Sequence, residues 1–106
     1  MAVIAFQRVD TPIGTTITWP SVTTADTAEK IDLSNFELNK TIHIVGGGTA
    51  QLRQSNDGTN FVNKGAALTG NSMNEVPSAA KWWDFNPIAT ATVTIILTVR
   101  KPAPKV

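Results

Sequence analysis

The stretch Thr90–Arg100, TATVTIILTVR, decides the fold class. Ala91, Val93, Ile95, Leu97 and Val99 fall on one side of it. Thr90, Thr92, Thr94, Thr98 and Arg100 fall on the other, with Ile96 the single apolar intruder. A period of two is the signature of a β-strand with one buried face. Eleven residues exceed the roughly 5–6 of an ordinary strand, so this run can act as a spine against which shorter strands pair.

Working outward, the chain offers several shorter runs of the same kind. Lys81–Phe85, KWWDF, reads as a strand, and its adjacent tryptophans must then point to opposite faces. Thr41–Val45 and Thr49–Gln54 alternate and are joined by Gly46-Gly47-Gly48, which reads as a hairpin. Ile42, Ile44, Ala50 and Leu52 should face the core, with His43, Gln51 and Arg53 turned away. Ser55–Asn60, SNDGTN, is a second turn, because Asn, Asp and Gly tolerate positive φ, and Phe61 follows it as a core plug. Val3–Val9 has no cleanly polar face, as expected of a strand covered on both sides or of an arm lying on a partner. Gly14–Trp19 is a strand stopped by Pro20. Ser21–Glu29 leads as a loop into a short strand at Glu29–Leu33, and Ser34–Lys40 is a connection with Phe36 and Leu38 turned inward. Gly65–Asn74 is small and polar, a loop that binds something or wraps a neighbour; Asn74–Val76 is a short strand and Asn86-Pro87 a turn.

The reading is therefore all-β: one domain, residues 1–106, an antiparallel β-sandwich or small barrel. Residues 1–12 are expected as an N-terminal arm and residues 101–106 as a C-terminal tail. Fifteen threonines in 106 residues agree with a strand-rich chain. No repeat and no low-complexity segment divides it.

Composition excludes several kinds of chemistry. There is no cysteine, so disulfides, thiolate metal sites and thiol nucleophiles are out. A net charge of +1 with 16% charged residues gives no field of one sign to hold nucleic acid or an anionic membrane. MAVIAFQRVD lacks a basic leader and a small-residue cleavage site, which points to a protein made and kept in a cytosol or in something assembled there. His43 is the single histidine, too little for zinc and without the partners a catalytic triad needs. Asn56-Asp57-Gly58 lacks the spaced acids of a calcium loop, and Gly46–Gly48 lacks the following helix of a phosphate loop. No catalytic residue, metal or cofactor is expected. Asp84 beside Trp82 and Trp83 is the best placed group for a sugar site, set against the alternative that one ring fills the core and the other meets a partner.

GGGTAQLRQSNDGTNF, preceded by KTIHIV and followed at a distance by ATVTIILTVRK, resembles a group of small phage virion proteins. In these a Gly-rich hairpin leads into a strand ending Ser-Asn-Asp-Gly-Thr-Asn plus an aromatic, and a long Thr/Val-rich strand closes the chain. The matching positions are Gly46–Gly48, Leu52, Ser55–Asn60, Phe61 and Ala91–Val99; the first forty residues have no counterpart. The resemblance implies a capsid cement or decoration protein, a β-sandwich on the virion surface that clamps neighbouring copies of the major capsid protein. It also implies a homo-oligomer, trimer or dimer, assembled in the host cytoplasm. The matching residues are turn and core positions and bring no binding residues with them. From the sequence itself the expected partner-binding residues are Phe6, Trp19, Trp82, Trp83, Arg100, Lys101, Pro102 and Pro104. The alternative is a carbohydrate- or receptor-binding module of a tail or head fibre, built on Trp82, Trp83 and Asp84.

Overall fold

The computed structural model of the protein describes residues 2–23, 26–87 and 92–101. Among the described residues twelve strands follow one another: β1 (Ala2–Ile4), β2 (Gln7–Asp10), β3 (Gly14–Val22), β4 (Asp26–Ala28), β5 (Ile31–Asp32), β6 (Asn39–Gly46), β7 (Thr49–Ser55), β8 (Val62–Asn63), β9 (Leu68–Thr69), β10 (Ser72–Pro77), β11 (Trp82–Pro87) and β12 (Val93–Arg100). They form a sandwich. One sheet has the order β10-β6-β12-β3-β2; the other runs β5-β11-β7-β8, with β9 also on β7, and a parallel pair β1-β4 stands apart.

The spine is where the alternation put it. β12 pairs with β3 on one side and β6 on the other, and Val93, Ile95, Leu97 and Val99 are all buried. Beneath it pack Ile17 and Trp19 of β3, Ile42 and Ile44 of β6, and Ala50, Leu52, Trp83 and Phe85 of the facing sheet. Trp19 is edge-on to Phe85 at 5.2 Å between ring centres and to Phe6 at 5.9 Å, and its Nε1 donates to the Glu29 carbonyl at 3.0 Å. Residues 90 and 91 of the quoted stretch lie outside the described residues.

Four readings need correction. Gly46–Gly48 does not make a hairpin: β6 and β7 belong to different sheets, so the glycines carry the chain across the sandwich. They admit a close neighbour there, since a Cβ on Gly70 would be driven into the carbonyls of Gly46 and Gly48. Second, β3 passes through Pro20. Trp19 faces Ile95 and Val22 faces Val93, so three steps on β3 oppose two on β12. That β-bulge, with Ser21 at φ 51°, is a place where a sheet accommodates a residue without an N–H. β11 likewise extends through Pro87, opposite Ala50. Third, Leu38 is 58% exposed, although Phe36 does pack on the core. Phe61 is only half-buried and lies under the Arg53 guanidinium at 5.5 Å, outside the core.

Fourth, the N-terminal segment is woven into the fold. β1 pairs with β4, the Glu29 N–H donates to the Ile4 carbonyl at 3.0 Å, and β2 closes the first sheet against β3. Gly65–Asn74 is also tied to the body of the protein: β9 pairs with β7, and Gln51 Nε2 donates to the Leu52 and Gly65 carbonyls at 2.9 and 3.2 Å. The SNDGTN turn is a true hairpin between β7 and β8.

Candidate binding surfaces

Strand register builds two outward faces. On the first sheet Met73, His43, Ile96, Thr18 and Gln7 form one row across all five strands, and Glu75, Thr41, Thr98, Thr16 and Val9 form the next. Of these ten residues Glu75 alone carries a charge. A soluble surface is best designed with about 25–35% charged residues. Met73 and Val9 are 62% and 64% exposed, so the face is threonine hydroxyls and methyls with aliphatic side chains at both edges. Arg100 lies at the end of the same face by alternation.

On the second sheet the face is polar and ionic. Asp84 of β11 stands opposite Arg53 of β7, and Trp82 opposite Ser55. Arg53 Nε and Nη2 donate to the two Asp84 oxygens at 2.8 and 2.6 Å. Burial pushes the Asp84 carboxyl above its usual value, while the guanidinium and, more distantly, Lys30 pull the other way. Lys30 Nζ donates to the Gly58 carbonyl at 2.7 Å and sits 5.2 Å from the Trp82 ring centre. Gly58, at φ 78°, packs on that ring at the head of a turn held by Asp57, which accepts from the Thr59 and Asn60 N–H groups at 2.8 Å. Those bonds hold the Asp57 carboxyl far below the usual carboxylate range.

The expected partner residues divide accordingly. Trp19 and Trp83 are wholly buried and have no surface to offer; both rings fill the core and both indole N–H groups are spent on backbone carbonyls, Trp83 on Ala80 at 2.9 Å. Phe6 is partly buried against Trp19. Trp82 is the outward member of the pair, half-buried. Arg100 and Lys101 are exposed, and Lys101 is pinned to the β2–β3 turn through Ile13 and Thr11 carbonyls, each at 3.0 Å. Pro102 and Pro104 lie outside the described residues. His43 faces outward between Met73 and Ile96, on the sheet opposite Asp84, and no group of three or more His, Cys, Asp or Glu among the described residues could hold a metal ion.

Sequence reasoning missed Lys30 and Lys40. Lys40 is 2% exposed, donates to the Ser78 carbonyl at 2.7 Å and lies 5.3 Å from the Trp83 ring centre. The signal was available, because Lys40 shares parity with Ile42 and Ile44 on β6.

These observations define a small antiparallel β-sandwich with one nearly uncharged face and one ionic face. The chain is similar in fold to a cupin domain from Bordetella pertussis, with a TM-score of 0.52 at 14% identity over 93% of this chain and 97% of that one. At that identity the likeness carries the fold alone. No family model matches the chain, and no curated protein matches it in sequence.

Proposed function

We propose that the protein is a structural component of a phage virion, a cement or decoration protein that sits on the capsid surface and reinforces the shell of the major capsid protein without catalysing a reaction. The observation that carries this reading is the outward face of the first sheet, ten residues in two rows with one charge. A surface so poor in charge loses little on desolvation, and protein interfaces are likewise depleted of charge at their centres. In a lattice each contact is repeated many times, so a modest contact suffices. The resemblance of Ser55–Phe61 and Ala91–Val99 to small virion proteins supports the same setting, and a dimer or trimer would double or triple the grip of each copy.

The test is reconstitution on shells lacking the protein. Wild-type protein should bind them and raise their resistance to heat. Thr98→Lys and Thr16→Lys, which place charges in the middle of the face, should bind at least about tenfold more weakly while staying folded, since each charge must be desolvated without a partner. Shells equally resistant with and without the protein would sink the reading.

A further inference from the structure

The ionic face carries a feature that shell binding through the other sheet leaves unused. A cleft of about 500 Å³ lies between β11 and the β1–β4 pair, lined by Val3, Thr27, Glu29, Lys30, Trp82 and Asp84. That volume is within the roughly 300–1,000 Å³ of small-molecule sites, which combine an apolar wall with a few placed polar groups.

The wall is Trp82. The core does not need this ring, because Trp19, Trp83 and Phe85 fill the space below. The ring is nevertheless fixed. Lys30 lies over it, tethered to the Gly58 carbonyl, and the Gly58 turn packs against its Nε1 edge. A cation over the ring and a turn against it hold the indole as a plate at the side of the cleft.

The polar groups are also held in place. Asp84 is clamped by Arg53 through both oxygens, and each oxygen has a second lone pair that no other hydrogen bond among the described residues engages. Glu29 accepts from the Phe6 N–H through Oε1 at 3.2 Å, and among the described residues no hydrogen bond engages its other oxygen. Formal charges around the cleft, Lys30 and Arg53 against Glu29 and Asp84, cancel, so no net field selects an ion. A ligand matching this set is uncharged, with an apolar face for the indole and hydroxyl groups to donate to carboxylates. A pyranose ring has both.

We propose that the cleft beside Trp82 binds a neutral saccharide, giving the protein a glycan-binding activity independent of any contact made by the first sheet. The inference does not rest on the capsid reading. It is tested by exposing the protein to an array of neutral oligosaccharides and titrating the bound glycan against tryptophan emission. Binding should be seen, and Trp82→Ala should weaken it about tenfold or more, equivalent to about 1.4 kcal/mol. Thr27→Arg, which fills the cleft from β4 and leaves the ring in place, should do the same and guards against a Trp82 variant that fails to fold. Neither variant should alter binding to shells, so the two readings fail separately. Absence of any bound glycan, or glycan binding unchanged in folded Thr27→Arg, would overturn the proposal.

Discussion

Arg53 and Asp84 face each other across β7 and β11 and join through two short bonds, with the Asp84 side chain 8% and the Arg53 side chain 30% exposed. The pair ties the two central strands of the second sheet on the side away from the core. Bidentate geometry and the buried carboxylate set it apart from surface ion pairs, which contribute about 0–1 kcal/mol. Asp84→Ala should cost about 2 kcal/mol, because it strands a partly desolvated guanidinium. Denaturant unfolding of the single variants and of Asp84→Ala combined with Arg53→Met should give a coupling of about 1–2 kcal/mol. Additive single effects would show the pair to be decorative.

How much of this was legible depends on the range of the contact. Parity along β12 showed which side chains are buried, and parity along Lys81–Phe85 showed that Trp82 and Trp83 separate; both are properties of a strand by itself. Which tryptophan faces inward was also within reach of parity, since Trp83 shares its side with Phe85 and Trp82 with Asp84; the pairing with Leu52 and Gln54 on β7, some thirty residues away, then seats Trp83 and Phe85 in the core. Gly46–Gly48 was misread where parity gives no help. Two alternating runs joined by glycines look the same whether the runs pair or part into different sheets, and here the long-range partners β12 and β11 take them apart. The Arg53–Asp84 and Lys30–Trp82 contacts depend on the same pairings.

Lys40 supplies a test in the alkaline range. Its ammonium is buried with one carbonyl acceptor, and burial lowers its pKa from the ordinary 10.5. The unfolded chain therefore binds more protons than the folded one wherever pH lies between the folded value and 10.5. Stability must rise with pH through that window as the unfolded state gives up its proton advantage. Lys40→Met is unbranched and one heavy atom shorter, and it removes the titration. Urea unfolding of wild type between pH 8 and about 10.5 should show the rise, and the variant should lack it. A wild-type protein that loses stability steadily over the same range, with Lys40→Met following it, would contradict a buried ammonium at this position.

Asp57 works in the opposite sense. Backbone N–H groups of Asn60 and Thr59, the Ser55 hydroxyl and the Asn60 amide all donate to its carboxylate, and its pKa falls well below 3.8. A depressed carboxylate contributes stability that is fully present above the unfolded value of 3.8 and is lost as pH falls below it. Asp57→Asn should lower the unfolding midpoint at neutral pH and flatten the dependence below pH 3.8, read from thermal melts at a series of acidic pH values. Because the same turn packs on Trp82, the variant should also shift tryptophan emission. An acid limb unchanged by the substitution would place the sensitivity elsewhere.

The seam between the sheets gives a contrast between two glycines of one loop. Gly70 does not take a left-handed φ, but a Cβ there meets the carbonyl oxygens of Gly46 and Gly48, which are main chain and cannot swing aside. Gly65 is the reverse: nothing lies within 4 Å of its added Cβ, and the cost comes from its φ of 68°. Left-handed backbone costs a residue with a Cβ about 1–2 kcal/mol, whereas forcing atoms into a packed crossing costs about 1–3 kcal/mol and moves the backbone around it. Gly70→Ala should therefore be the more damaging, and it should loosen the Gly46–Gly48 crossing that carries the chain from β6 to β7. Hydrogen exchange read at Val45–Thr49 separates the two, with faster exchange in Gly70→Ala and unchanged exchange in Gly65→Ala. Equal protection in both variants would mean that the loop does not bear on the crossing, and the paired-glycine seam would have to be given up as the reason this loop lies against it.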